Sequence, residues 1–195
     1  ADIHGAPSCS LRASQGFVTD DYRPSHIPDD IPTFKLVDKL GDERIDEDKL
    51  SQAATLALCW SRAWSSGGGH GTVFAVKPAQ VSKTAQTGEF VGKGAFIVRG
   101  QRQWFRDLDV RIGIGIIAIN GVPLLMSGMP DLIRRTCPRF AVLTPGITKK
   151  DRLANRIYKN TGISTDEILA VLPGPCDVVE EQGILTPPKS LYEEE

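Results

Sequence analysis

Cysteine pairs are missing from this chain. Its four cysteines, Cys9, Cys59, Cys137 and Cys176, stand far apart and form no CxxC unit. That spacing argues against a disulfide framework and gives zinc no ligand pattern. Reduced thiols in a cytoplasmic protein are the reading that remains. Long apolar runs are missing as well: none approaches the ~20 residues that cross a bilayer, so no membrane contact is expected. No signal peptide opens the chain, whose first residues are polar and include His4, Gly5 and Pro7. The start at Ala1 without a methionine reads as that of a fragment or a processed piece. No internal repeat is visible.

Net charge is nearly absent too, at −1 over 195 residues. That balance hides a segregation. Residues 1–76 carry 7 basic and 11 acidic side chains, a balance of −4. Residues 77–159 carry 15 basic and 5 acidic, a balance of +10, and residues 160–195 carry 1 and 8, a balance of −7. The centre of the chain is therefore expected to present a basic surface. The competing reading is lysines and arginines that merely guard sheet edges.

With 41% apolar residues the chain can bury a core. The pattern predicts an α+β fold: a mostly antiparallel sheet, one long packed helix and two short C-terminal helices. Residues 2–13 read as a short strand. Residues 14–48, rich in proline and aspartate, read as a long acidic surface loop. Asp46, Glu47 and Asp48 open a helix over about 47–65, on whose N-terminal dipole end their charge is favourable. Leu50, Ala53, Ala57 and Leu58 form one stripe of it, and Leu56, Trp60 and Trp64 a second, bulkier one. Ser65–Gly71 is a glycine-rich linker. Strands follow at 73–76, 95–99, 111–120, 122–126 and 139–144, with Asn120-Gly121 as a hairpin turn. Thr148 and Asp151 suggest a capping box before one short helix, Ser164 and Glu167 before another. Residues 177–195 read as a frayed acidic tail, broken by Pro187-Pro188.

Catalytic readings are weak. Asp2 and His4 can pair for acid–base work, but a strand histidine more often makes a structural hydrogen bond. Ser82 and Lys83 are adjacent on a strand, so their side chains point to opposite faces. His4, His26 and His70 have no metal-ligand spacing. Gly92 and Gly94 precede a strand rather than a helix, which defeats a dinucleotide fingerprint. No catalytic residue, metal or cofactor is expected.

A binding surface is better supported. Between Lys77 and Arg106 two strand patterns lead to a loop that mixes arginine with aromatic rings: Arg99, Arg102, Arg106 and Arg111 surround Trp104 and Phe105. Guanidinium groups neutralise phosphates and aromatic faces stack on unpaired bases. Lys149 and Lys150, at a helix start with free backbone amides, suggest a second phosphate contact. The expected RNA-facing set is Lys77, Gln80, Ser82, Lys83, Lys93, Arg99, Arg102, Trp104, Arg106, Lys149 and Lys150.

The same segments resemble the RNA-binding domain of the NFACT family, NFACT-R. The pieces are Asp2-Ile3-His4-Gly5-Ala6, Ala53-Ala54 through Ser61-Arg62-Ala63-Trp64, Gln80-Val81-Ser82-Lys83, Gly88-Glu89-Phe90 and Gly94-Ala95-Phe96-Ile97-Val98-Arg99-Gly100. The resemblance covers residues 1–117; residues 118–176 look like the extension of archaeal-type members, a small α+β unit. The chain departs in a longer acidic insertion, about 14–46, and in Phe90, where tyrosine is common. The family's full-length proteins are ribosome quality-control factors that bind the obstructed large subunit, recruit tRNA and support template-free extension of stalled chains. The resemblance implies tRNA, large-subunit rRNA and the ribosome as partners. It also implies architectural roles for Asp2, His4, Gly5, Ser61, Trp64, Gly88 and Glu89. The long form's N-terminal domain, helix-hairpin-helix piece and coiled coil have no counterpart in these residues, so chain extension would belong to a larger protein. Two other classes compete. Helices at 149–160 and 165–172 loosely suggest a DNA-binding helix-turn-helix, although the second lacks lysine and arginine. An adaptor would use the acidic loop or tail to meet a basic ribosomal protein.

Overall fold

A computed structural model of the chain describes residues 9, 11, 15–38 and 45–187. Within them run β1 (Gln15–Thr19), β2 (Thr33–Asp38), α1 (Glu47–Cys59), α2 (Arg62–Ser65), β3 (His70–Ala75), β4 (Val81–Ser82), β5 (Ile97–Val98) and β6 (Gln103–Asp109). There follow β7 (Ile112–Ile119), β8 (Val122–Gly128), α3 (Pro130–Thr136), β9 (Phe140–Pro145), α4 (Lys150–Thr161), α5 (Thr165–Ala170) and β10 (Cys176–Gln182). The fold is α+β, and among the described residues only the β2–β7 pairing is parallel.

β7 organises the molecule, and its Ile-Gly alternation explains how. Side chains alternate across a strand, so Ile112, Ile114, Ile116 and Ala118 face one core, shared with α1, α2, α4 and α5. The opposite face carries Gly113, Gly115 and Ile117 towards α3. A Cβ on Gly113 would meet Ile133 at 2.8 Å, and one on Gly115 would collide with Cys137. The glycines let α3 lie directly on the strand. β8 takes one edge of β7 through the turn at Asn120 (φ 49°) and Gly121 (φ 78°). The other edge is shared end to end: β9 pairs with Ile112–Gly115 and β2 with Ala118–Ile119.

Several expectations change at this level. The segment read as a long loop contains β1 and β2, which pair with each other before β2 docks on β7. Ile27 and Ile31, only 3% and 4% exposed, plug the connection into the core, and Asp30 receives Arg139 at 2.6 and 2.8 Å. Proline and aspartate suggested solvation; these two isoleucines and one ion pair overrule them. The beginning of the supposed acidic tail is β10, paired with β9, because Cys176 and Val178 alternate inward while Asp177 and the glutamates face out. The helix expected over 47–65 breaks at Trp60. Ser61 accepts the Ala63 amide at 3.1 Å and starts the short α2. α3 was not anticipated. Thr148 caps nothing: Lys149 is the N-cap of α4 and makes no side-chain cap bond. Ser164 does cap α5, accepting from the Glu167 amide at 3.3 Å. Position 117, the expected division of the chain, lies inside β7.

Candidate nucleic-acid interface

Residues 70–109 form one long antiparallel excursion. β3 pairs with β6, and the intervening β4 pairs with β5, so the second ribbon extends the first. A hydrogen-bonded joint connects them. The Gln80 side chain accepts the Lys77 amide at 2.9 Å and donates to the carbonyls of Arg99 (2.9 Å) and Gln101 (2.6 Å). Beyond the joint, Lys83 to Phe96 make the tip loop. Nine of the eleven residues expected to face RNA lie on this excursion, and it is anchored at its base on α1 through the inward side chains of Val73 and Leu108.

One face of the β3–β6 ribbon is a ladder of cations and rings. Arg102, Trp104 and Arg106 recur every second residue, and Phe74 sits directly opposite Trp104. The Arg102 guanidinium lies 4.7 Å from the centre of the Phe74 ring, and Arg106 lies 5.5 Å from that of Trp104. The two rings meet edge to face at 5.4 Å. Each guanidinium is thus held over a π face without losing its charge, an arrangement stabilised by the ring quadrupole. Trp104 remains 48% exposed, whereas its neighbour Phe105 is 8% exposed and packs inward opposite Val73. The expectation of a loop here is therefore corrected. The segment is a strand, and alternation sends Phe105 to the protein and Trp104 to solvent.

The other expected residues divide by what already holds them. Lys77, Lys83 and Lys93 are exposed and make no ion pair among the described residues; Lys83 stands 4.9 Å from the Phe96 ring centre. Ser82 accepts the Thr84 amide at 3.0 Å and keeps its hydroxyl hydrogen to donate. Gln80 is spent on the joint. Arg99 is spent on Glu89, reaching it with both terminal nitrogens at 3.3 and 2.7 Å. Glu89 also accepts the Gln86 amide at 2.9 Å, and Gly88 (φ 87°) makes the turn before it. The Arg99 hydrogen bonds, then the Gln86 amide, hold the Glu89 carboxyl below the usual glutamate range; the Arg99 pKa rises in return. Arg99 is thus a clamp on the tip loop with its charge matched, while Lys77, Lys83, Lys93, Arg102 and Arg106 keep theirs.

The clamp leaves Phe90 outside. At 93% exposed it is the most solvated large apolar side chain among the described residues. Sequence reading missed Phe90, Phe96 and Phe74 as site residues. The glycines flanking Glu89-Phe90 were a usable signal for an exposed tip. The pairing of Phe74 with Trp104 had none, because it depends on register. Away from the hairpin, Lys149 is exposed at the N-cap of α4, while Lys150 donates to the Leu172 carbonyl at 3.3 Å and is partly buried.

Of the architectural set, Trp64 is 2% exposed and its indole donates to the Pro175 carbonyl at 2.8 Å, tying α2 to the approach of β10. Ser61 caps α2. Asp2, His4 and Gly5 lie outside the described residues. His70 pairs with Asp109 at 3.0 Å on the exposed rim of the hairpin, and His26 contacts the Gly121 carbonyl at 3.0 Å. The thiols of Cys59, Cys137 and Cys176 are pushed up to about 11, chiefly by burial, which makes them poor nucleophiles. No described helix is long and apolar enough to cross a membrane.

The family described as NFACT protein RNA binding domain matches residues 1–100. The archaeal Rqc2 homolog aRqcH of Methanocaldococcus jannaschii is 33% identical over 152 residues, which cover 76% of this chain and 22% of that protein. The ribosome quality control complex subunit NEMF of Homo sapiens is 29% identical over 117 residues, 60% of this chain and 8% of NEMF. The NEMF homolog of Drosophila melanogaster is 31% identical over 75 residues. The chain thus spans about a fifth of the archaeal relative's length and under a tenth of NEMF's. No solved structure matches it.

Proposed function

Because the chain belongs to the family of NFACT protein RNA-binding domains, we propose that its 70–109 hairpin is the RNA-binding element. Its target in this reading is tRNA or large-subunit rRNA on a ribosome whose nascent chain has stalled, in the cytoplasm. The single observation that carries the reading is the ladder Arg102–Phe74–Trp104–Arg106, exposed at all but the half-buried Phe74, which sets charge and a stacking surface side by side. Lys77, Lys83, Lys93, Arg102 and Arg106 meet phosphates. Trp104, and Phe90 at the tip, offer faces to unpaired bases, which stack without sequence preference. Ser82 donates to a backbone or 2′-hydroxyl oxygen. Arg99, Glu89 and Gln80 hold the hairpin in shape rather than touching RNA. In this reading the domain supplies binding.

The reading is tested by salt. With about 5 phosphates engaged on looped RNA, log affinity falls against log salt with a slope near −3.5. A filter-binding titration of tRNA against rising salt is expected to give that slope, with duplex DNA a poor competitor. A flat titration, or equal competition by duplex DNA, overturns it.

A further inference from the structure

The hairpin does not account for all the unmatched positive charge. α4 carries Arg152, Arg156 and Lys159, all exposed. At 3.6 residues per turn these three fall within about 60° of one another round the axis and extend over about 10 Å. Lys149 stands exposed just before them at the N-cap. The opposite side of the helix, Leu153, Ala154 and Ile157, is buried in the core that α4 shares with α1 and β7. The basic face is therefore fixed in orientation, on the same side of the main sheet as the helix that anchors the hairpin.

None of these four cations has a carboxylate partner among the described residues. Three other arginines are matched by carboxylates. Arg134 is held by Glu180 and Asp131, Arg139 by Asp30, and Arg99 by Glu89. The helix has one acid of its own, Asp151, which lies off the basic face. Asp166 and Glu167 lie in the first turn of α5, and Asp177 accepts the Ile147 amide at 3.4 Å, two residues before Lys149. Lys149 and Arg152 also sit at the positive end of the helix dipole, where cations are unfavourable. The arrangement costs stability in the free protein and is offset once an external anion docks.

We propose that this face of α4 is a second RNA site, formed by Lys149, Arg152, Arg156 and Lys159. It grips phosphates along a backbone and reads no bases. The proposal rests on the RNA-binding reading of the hairpin and extends it. A single RNA would be held twice, by a stacking contact on the hairpin and by a purely electrostatic one on α4. Lys150, committed to the Leu172 carbonyl, takes no part.

The test compares three full chains binding unfractionated tRNA across a salt series: wild type, R102E/R106E, and R152E/R156E/K159E. The α4 variant is expected to bind at least tenfold more weakly at low salt, with a slope flatter by about 2. The neutral variant R152Q/R156Q/K159Q, checked by thermal melting, is expected to show the same flattening with an unchanged fold. Wild-type affinity and slope in both α4 variants, alongside weakened R102E/R106E, overturn the second site and leave the first intact. A wild type that fails to bind overturns both. Displacement of tRNA by poly-glutamate at equal charge concentration assigns the face to an acidic protein and likewise overturns it.

Discussion

The main sheet and the 70–109 hairpin are built from the same chain on opposite plans. β7 alone buries Ile112, Ile114, Ile116, Ile117 and Ala118, and each isoleucine contributes about 1.5–3 kcal/mol. Across the hairpin, Phe105 is the one hydrophobic side chain below a tenth exposed. Charge follows the same division. Arg134 and Arg139, beside the sheet, are ion-paired, whereas Arg102 and Arg106 rest on rings and keep their charge available. Stability and the proposed recognition surface are thus separated in space. The sheet supplies folding free energy, and the hairpin can afford unpaired cations because the sheet does not depend on them.

The sharpest way to break that contrast is at Gly115. A side chain there strikes Cys137, so Gly115→Val is expected to destabilise by about 3 kcal/mol or more, read as a fall in urea midpoint. Comparable loss from Arg102→Ala would contradict the division. Adjacent residues of β6 give the next test. Phe105→Ala is expected to cost about 3 kcal/mol of stability. Trp104→Ala leaves the melting temperature nearly unchanged and weakens RNA binding by about 1–3 kcal/mol, and Trp104→Phe restores much of that. If both substitutions affected only stability, the outward ring would be a packing residue. The smallest effect concerns the tip loop. The folded Glu89 pKa is depressed, so its contribution is present above the ordinary carboxylate range and lost as pH falls through the lowered folded value. Exchange of the Gln86 amide should quicken in Glu89→Gln at neutral pH, and in the wild type only at acid pH. Identical exchange in both proteins would remove the clamp.

Much of this was legible in the residues themselves. The helix start at Asp46, the turn at Asn120-Gly121, the cap at Ser164 and the basic centre of the chain are local signals, each written in a few adjacent residues. The misreadings that altered the main sheet were long-range. Residues 14–48 look solvated until Ile27 and Ile31 are seen in the core, and Cys176–Gln182 looks like a tail until β9 offers it an edge. Gln80 and Arg99 carry the right chemistry for RNA, but partners close by in space, Glu89 above all, had already taken them.

The amino-acid sequence by itself determined where charge and aromatic rings are concentrated, since composition and strand alternation need only neighbouring residues. Tertiary structure alone decided which of those groups remain free. Whether a cation meets a carboxylate, a carbonyl, a ring or open water depends on register and packing between segments far apart in the chain, and that choice separates a clamp such as Arg99 from an available ligand such as Arg102.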